Sequence, residues 1–196
     1  FFDLLVQNKV TFFKSKNFEK DTVSLSDAIS DLLQSHGTKE SPDTKNFRAG
    51  IYAKATTSYQ KLMRKDKNLT KKIASSHRFA NHKKETIEKF QYILEFGRAN
   101  KNISDEIKAK YNIKKRTVVP LCSNSPTPTL TTLPDDYIHY CEPRILTVRE
   151  YARIQSFPDS YEFKGGYTTG GDRRKSDVPR YTQIGNAIPP LFAEQA

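Results

Sequence analysis

Few residues in this chain are of a type that does covalent chemistry, and their spacing narrows what they can do. Two cysteines occur in 196 residues, Cys122 and Cys141, with no metal-ligand spacing and no disulfide framework. His77 and His82 lie five apart with no cysteine near them in sequence, so zinc is not expected and a polar loop before a helix is the better use. The dense polar signal is instead in residues 144–190. There Thr147 and Glu150 have capping-box spacing: the hydroxyl can accept from the amide three residues on, and the carboxylate can reach back. Leu146 and Tyr151 flank that cap at staple positions. The helix should run to about Ser156, because Pro158 disfavours a helical Phe157. Further on, Gly185-Asn186 reads as a tight turn opening a second helix with Pro189 and Pro190 in its first turn, where missing donors cost nothing.

The elements that must position these motifs are read from periodicity. Val10-Thr11-Phe12-Phe13 is a short apolar run read as a strand. Leu25, Ala28, Ile29, Leu32 and Leu33 mark one face of a helix capped by Ser24. Residues 37–46 read as a loop and 58–64 as a short helix. Residues 83–96 form an amphipathic helix with Ile87, Phe90, Ile93 and Leu94 inward, stopped at Gly97. Residues 104–110 suit a short helix capped by Ser104. Residues 117–133 are rich in β-branched residues, prolines and hydroxyls, which gives strand and loop segments. No internal repeat is evident.

Lys and Arg exceed Asp and Glu by 33 − 22 = 11, and the pI is about 9.6. A surplus this large favours a polyanionic partner, nucleic acid before membrane, since no long apolar run exists. Between residues 61 and 89 stand Lys61, Arg64, Lys65, Lys67, Lys71, Lys72, Arg78, Lys83, Lys84 and Lys89. Such a run is either a solvated face or a track for a phosphate backbone. The cysteine usage suits a reducing compartment, and no signal peptide is visible.

The residues in 144–190 carry a family resemblance. Arg144-x-Leu146-Thr147-x-Arg149-Glu150-x-Ala152-Arg153-x-Gln155-Ser156-Phe157-Pro158-Asp159 resembles the ninth shared motif of the DNA cytosine-5 methyltransferases. Tyr181-x-Gln183-Ile184-Gly185-Asn186-Ala187-Ile188-Pro189-Pro190 resembles their tenth. The segment after residue 117 resembles the end of the family's target-recognition region, where a Thr-Leu dipeptide is the hallmark; here it would be Thr129-Leu130.

The resemblance implies an α+β fold. Residues 1–20 would be an edge of the catalytic domain, residues 21–180 a small target-recognition domain of irregular helices and short strands, and residues 181–196 a cofactor-side helix of the catalytic domain. It implies a cytosine-5 methyltransferase of restriction-modification type, with S-adenosylmethionine as methyl donor and a cytosine flipped from duplex DNA as acceptor. Asn186 and Ala187 would face the donor, with a helix N-terminus suiting its carboxylate. Thr129, Leu130, Thr131, Arg173 and Arg174 would contact DNA. Arg144, Thr147, Arg149, Glu150 and Gln155 would hold the recognition region, with Arg149 and Gln155 as internal hydrogen-bonders.

The family's nucleophile comes from a Pro-Cys dipeptide, yet Cys122 follows Leu121 and Cys141 follows Tyr140. Glu-Asn-Val, Gln-x-Arg-x-Arg and Phe-x-Gly-x-Gly are also missing. No catalytic residue is therefore assigned, and a missing catalytic domain or subunit is expected as a partner, in a cytoplasmic, nucleoid-associated protein. The alternative is a non-catalytic DNA-binding module or a naturally separate recognition subunit.

Overall fold

The computed structural model describes residues 2–20, 22–65, 72–168 and 177–196. Among these the fold is α+β, short helices and short strands in mixed order. The helices are α1 (Phe2–Ser15), α2 (Leu25–Ile29), α3 (Ser58–Met63), α4 (Lys84–Phe96), α5 (Asp105–Lys110), α6 (Val148–Ile154), α7 (Arg180–Gly185) and α8 (Pro190–Gln195). The strands are β1 (Thr38–Glu40), β2 (Arg48–Ile51), β3 (Ile73–Arg78), β4 (Val119–Pro120) and β5 (Tyr137–Ile138). β1, β2 and β3 form an antiparallel sheet in that order, with Lys39 opposite Ala49 and Ala49 opposite Arg78. β4 and β5 pair in parallel.

Helix α6 sits at the centre. Val148, Tyr151 and Ala152 have no exposed surface, and they share a core with Leu25 and Ile29 of α2, Tyr59 and Met63 of α3, Ala74 of β3, and Tyr181 and Ile184 of α7. A second cluster joins Phe90 and Ile93 of α4 to Ile107 of α5, Val118 and Ile138. A helix this short is not stable alone, so burial on every side is what holds α6 together. Gly97 ends α4 with an ordinary backbone angle; glycine is needed because a β-carbon would lie 2.5 Å from the Ile93 carbonyl oxygen.

The sequence reading needs correcting in several places. Residues 37–46, read as a loop, hold β1 at Thr38–Glu40, a polar edge strand with no apolar alternation to mark it. Val10 to Phe13 is helical, inside α1. The inward residues Leu5, Phe12 and Phe13 recur at helical spacing, a period invisible in a four-residue window. His77 lies on β3, buried, and not in a loop. Gly185 closes a helix, α7, instead of opening one, and α8 begins only at Pro190.

Candidate functional site

The Thr147 cap is the first layer of the site. Its hydroxyl accepts from the Glu150 amide at 3.2 Å, and the Glu150 carboxylate accepts from the Thr147 amide at 2.7 Å. The same carboxylate receives Arg144 through both terminal nitrogens, at 2.8 and 2.6 Å. The Thr147 hydroxyl donates to Nδ1 of His77 at 2.8 Å, and the His77 Nε2–H donates to the Leu32 carbonyl at 2.8 Å, which fixes the ring as the neutral Nε2–H tautomer. Gly50 makes room for this ring, since a β-carbon there would lie 2.3 Å from its Nε2. His139 accepts at Nδ1 from the Cys141 and Glu142 amides, leaving its buried Nε2 unbonded 3.8 Å from Glu150.

The electrostatics follow from this packing. Burial acts to raise the Glu150 carboxyl, but the Arg144 guanidinium outweighs it and holds the group down at about 2. Burial presses His77 and His139 down to about 4, so both rings are neutral at ordinary pH.

The second layer is a pair of fully buried arginines. Arg149 donates to the carbonyls of Ser75, Pro158 and Tyr161 at 2.9, 3.2 and 2.7 Å. Arg153 pairs with both oxygens of Asp159 at 2.6 and 2.8 Å, and with Asp31 at 3.2 Å through each terminal nitrogen. Arg64 reaches the same Asp31 at 3.1 Å, and Tyr52 donates to Asp159. Burial works against the Arg153 cation, but Asp159 and Asp31 outweigh it and raise its pKa. Burial would likewise raise Asp159, which Arg153 and Arg149 hold below its ordinary value. The motif thus fastens residues 24–32, 52–64 and 73–78 to the C-terminal segment. Arg153 and Asp31 were not singled out from sequence. Their separation of 122 residues leaves no local signal.

The expected contact residues are placed as follows. Thr129 is exposed, while Leu130 is buried in the core and cannot present its side chain to DNA. The Thr131 hydroxyl donates to Asp136 at 2.6 Å, so it too is spent internally. Arg173 and Arg174 lie outside the described residues. Asn186 is exposed and caps the C-terminal end of α7; its amide bonds Thr182 and the Ala187 amide bonds Ile184. The Asn186 and Ala187 amides expected to be free at this turn are therefore occupied, while the Asn186 carboxamide is exposed and makes no hydrogen bond among the described residues. Gln155 is half-buried at the end of α6 and its side chain makes no hydrogen bond among the described residues, contrary to the role expected for it. The basic run is divided between elements: Arg64 turns inward to Asp31, whereas Lys61, Lys65, Lys72, Lys83 and Lys84 are exposed.

One contact joins the two motifs' surroundings. A β-carbon on Gly185 would lie 2.6 Å from the Thr131 carbonyl oxygen, so the turn rests directly on the backbone that follows Thr129. A cleft of about 640 Å³ opens beside β3, where Lys39, Lys72, Lys164 and Arg180 stand with Asp43 and Glu162 around Ser75 and Ser76.

The family model for C-5 cytosine-specific DNA methylases matches residues 5–196. The chain belongs to this family. Among curated members, it is 31% identical over 194 residues to the type II methyltransferase M.DdeI of Desulfomicrobium norvegicum, covering 92% of this chain and 43% of that protein. It is 36% identical over 121 residues to the type II methyltransferase M.AquIB of Picosynechococcus sp., covering 61% of this chain and 81% of that one. A solved structure described as a DNA modification methyltransferase encoded within an E. coli prophage shares the fold, with a TM-score of 0.58 and 21% identity over 90% of this chain and 46% of its own. The chain thus spans under half the length of two of these three methylase relatives. Among the described residues no helix is long and apolar enough to cross a membrane, and no group of His, Cys, Asp and Glu could hold a metal ion.

Proposed function

We propose that this chain is the target-recognition and C-terminal part of a DNA (cytosine-5-)-methyltransferase of restriction-modification type. Its substrates are S-adenosylmethionine and a cytosine flipped out of duplex DNA. The observation that carries the reading is the seat of Gly185 on the Thr131 backbone, in a chain matched by the methylase family over residues 5–196. It sets the exposed Asn186 and the exposed Thr129 on segments in direct contact, as a protein handling cofactor and DNA together requires.

The thiol that adds to the cytosine ring comes from a Pro-Cys absent from this sequence. The methyl donor supplies the transferable group when bound. The Asn186 carboxamide, exposed and unbonded, fits a supporting contact to its amino-acid end, and Ala187 shapes the same turn. Thr129, Arg173 and Arg174 are the proposed DNA contacts, Leu130 and Thr131 shaping the segment from inside. Residues 1–20 and 181–196 edge the catalytic domain, and residues 21–180 recognise DNA. Gln195 donates to the Leu5 carbonyl at 2.7 Å and Lys16 pairs with Glu194, so α1 and α8 form one face. That face exposes Leu4, Val6, Val10 and Phe192, which supports a catalytic half lying over it in a cytoplasmic, nucleoid-associated enzyme.

A second reading, a separately encoded recognition subunit, draws on the match to 81% of M.AquIB. Labelled S-adenosylmethionine tests both. The full-length protein that contains this chain is assayed alone on duplex DNA, and this chain is assayed with a separately expressed catalytic half. Label on cytosine in the first assay supports one polypeptide, and label in the second alone supports a subunit. No incorporation in either rejects the methyltransferase reading.

A further inference from the structure

Arg78 is placed unlike the arginines around it. Arg144, Arg149, Arg153 and Arg180 each spend their donors on carboxylates, carbonyls or, for Arg180, also the Ser76 hydroxyl. Arg78 makes no hydrogen bond to a described residue. Its guanidinium carbon lies 3.9 Å from the centre of the Phe47 ring and 3.9 Å from that of Tyr167. Its Nε is buried and unpartnered, whereas the two terminal nitrogens are not among the buried unbonded atoms. The carboxylate that could have answered it, Asp43, is occupied by the Tyr167 hydroxyl at 3.0 and 2.9 Å and by Arg180 at 2.6 Å. Arg180 also lies 4.3 Å from the centre of the Tyr167 ring, so two cations share one aromatic side chain while the carboxylate serves only one.

The backbone under Arg78 is fixed. It stands opposite Ala49 in the sheet, and the next amide, Phe79, donates to the Arg48 carbonyl at 2.9 Å. Aromatic rings hold the guanidinium while leaving its in-plane edge free. Burial removes water from the cation and pulls its pKa below the ordinary value, so an incoming acceptor meets a partly desolvated, pre-oriented fork.

We propose that Arg78 is a DNA-reading residue whose free guanidinium edge pairs with a two-acceptor edge of the duplex. Two such edges exist on DNA, the O6 and N7 of guanine and a pair of phosphate oxygens. The proposal rests on the DNA-methyltransferase reading and adds the residue by which the recognition region grips its substrate. The neighbouring cleft sets Lys39, Lys72, Lys164 and Arg180 against Asp43 and Glu162, and with Arg180 paired to Asp43 and Lys164 to Glu162 it is Lys39 and Lys72 that leave the duplex a net positive approach.

The test uses the full protein, a randomised duplex library, and the duplexes that the wild-type protein selects from it. Arg78→Lys keeps the charge and loses the fork; Arg78→Met keeps the apolar stem between the rings and loses both, with a urea midpoint confirming the fold. The proposal expects Arg78→Met to weaken binding to the selected duplexes by roughly 5- to 150-fold. With a guanine partner, both variants stop selecting one guanine and keep the salt slope. With a phosphate partner, Arg78→Met weakens all duplexes alike, its salt slope falls by about 1, and Arg78→Lys retains most affinity. Wild-type affinity, selected sequence and salt slope in both variants would overturn it. A wild-type protein that binds no duplex would instead overturn the DNA reading beneath it.

Discussion

Arg153 and Asp159 meet in two parallel hydrogen bonds, 2.6 and 2.8 Å long, and neither side chain reaches solvent. Asp31 closes the other side of the same guanidinium, so one cation fastens the start of the chain to its C-terminal motif. Breaking such a pair leaves a buried charge without its partner. Asp159→Asn is expected to cost on the order of 3–5 kcal/mol of stability, read from the urea midpoint. A loss under about 1 kcal/mol would show that Asp31 and the Ala28 carbonyl satisfy Arg153 unaided.

Thr147 serves two partners with one hydroxyl. It accepts from the Glu150 amide and donates to His77. Thr147→Ala removes the cap, worth about 0.5–2 kcal/mol, and leaves His77 Nδ1 buried and unmet, worth about 1–3 kcal/mol more. Thr147→Ser keeps the hydroxyl and should recover most of that loss. Equal losses in the two variants would assign the effect to the missing methyl group.

The sequence displayed what depends on neighbours and hid what depends on distance. The Thr147–Glu150 box, the caps at Ser24 and Ser104, and the inward face of α4 all follow from residues within one or two turns of each other. Two long motifs likewise named the family before any coordinate did. By contrast, the Arg153–Asp31 pair, the His77–Leu32 bond and the rings around Arg78 join segments far apart, where periodicity carries no information. Leu130 and Thr131 were expected to contact DNA because they stand at and beside the Thr-Leu hallmark of the family's recognition region. Only packing reveals that the first fills the core and the second binds Asp136.

Stability should fall with acid sooner than carboxylates alone would dictate. His77 and His139 sit near 4 when folded, against an ordinary 6.5. Above pH 6.5 both states hold them neutral and they contribute nothing. Between 6.5 and 4 the unfolded chain takes up protons that the folded one refuses, so stability drops as pH falls. At pH 5 each ring costs about 2 kcal/mol relative to pH 7. Glu150, held at about 2 against 4.5, acts in the same direction at lower pH: its contribution is whole above 4.5 and disappears towards 2. Urea midpoints at pH 7 and pH 5 measure the first effect, and His139→Gln should shrink the difference. Equal midpoints at both pH values in the parent protein would mean that the rings find water on protonation.

Gly185 links the proposed cofactor side to the proposed DNA side by contact alone. Its backbone angle is not of the kind that needs glycine, so the demand is for space: an added β-carbon would lie 2.6 Å from the Thr131 carbonyl oxygen and 3.0 Å from the Thr132 α-carbon. Both are backbone atoms, and Tyr137 already ties the preceding Thr129 carbonyl down at 2.6 Å. Gly185→Ala must therefore push the turn and the 129–132 segment apart, at a cost of about 1–3 kcal/mol. Asn186→Ala removes only an exposed carboxamide and leaves the contact intact. In the complete methyltransferase, Gly185→Ala is expected to raise KM for both S-adenosylmethionine and duplex DNA, whereas Asn186→Ala raises it for the methyl donor alone. If Gly185→Ala disturbed one substrate and spared the other, the two segments would be independent supports that merely touch.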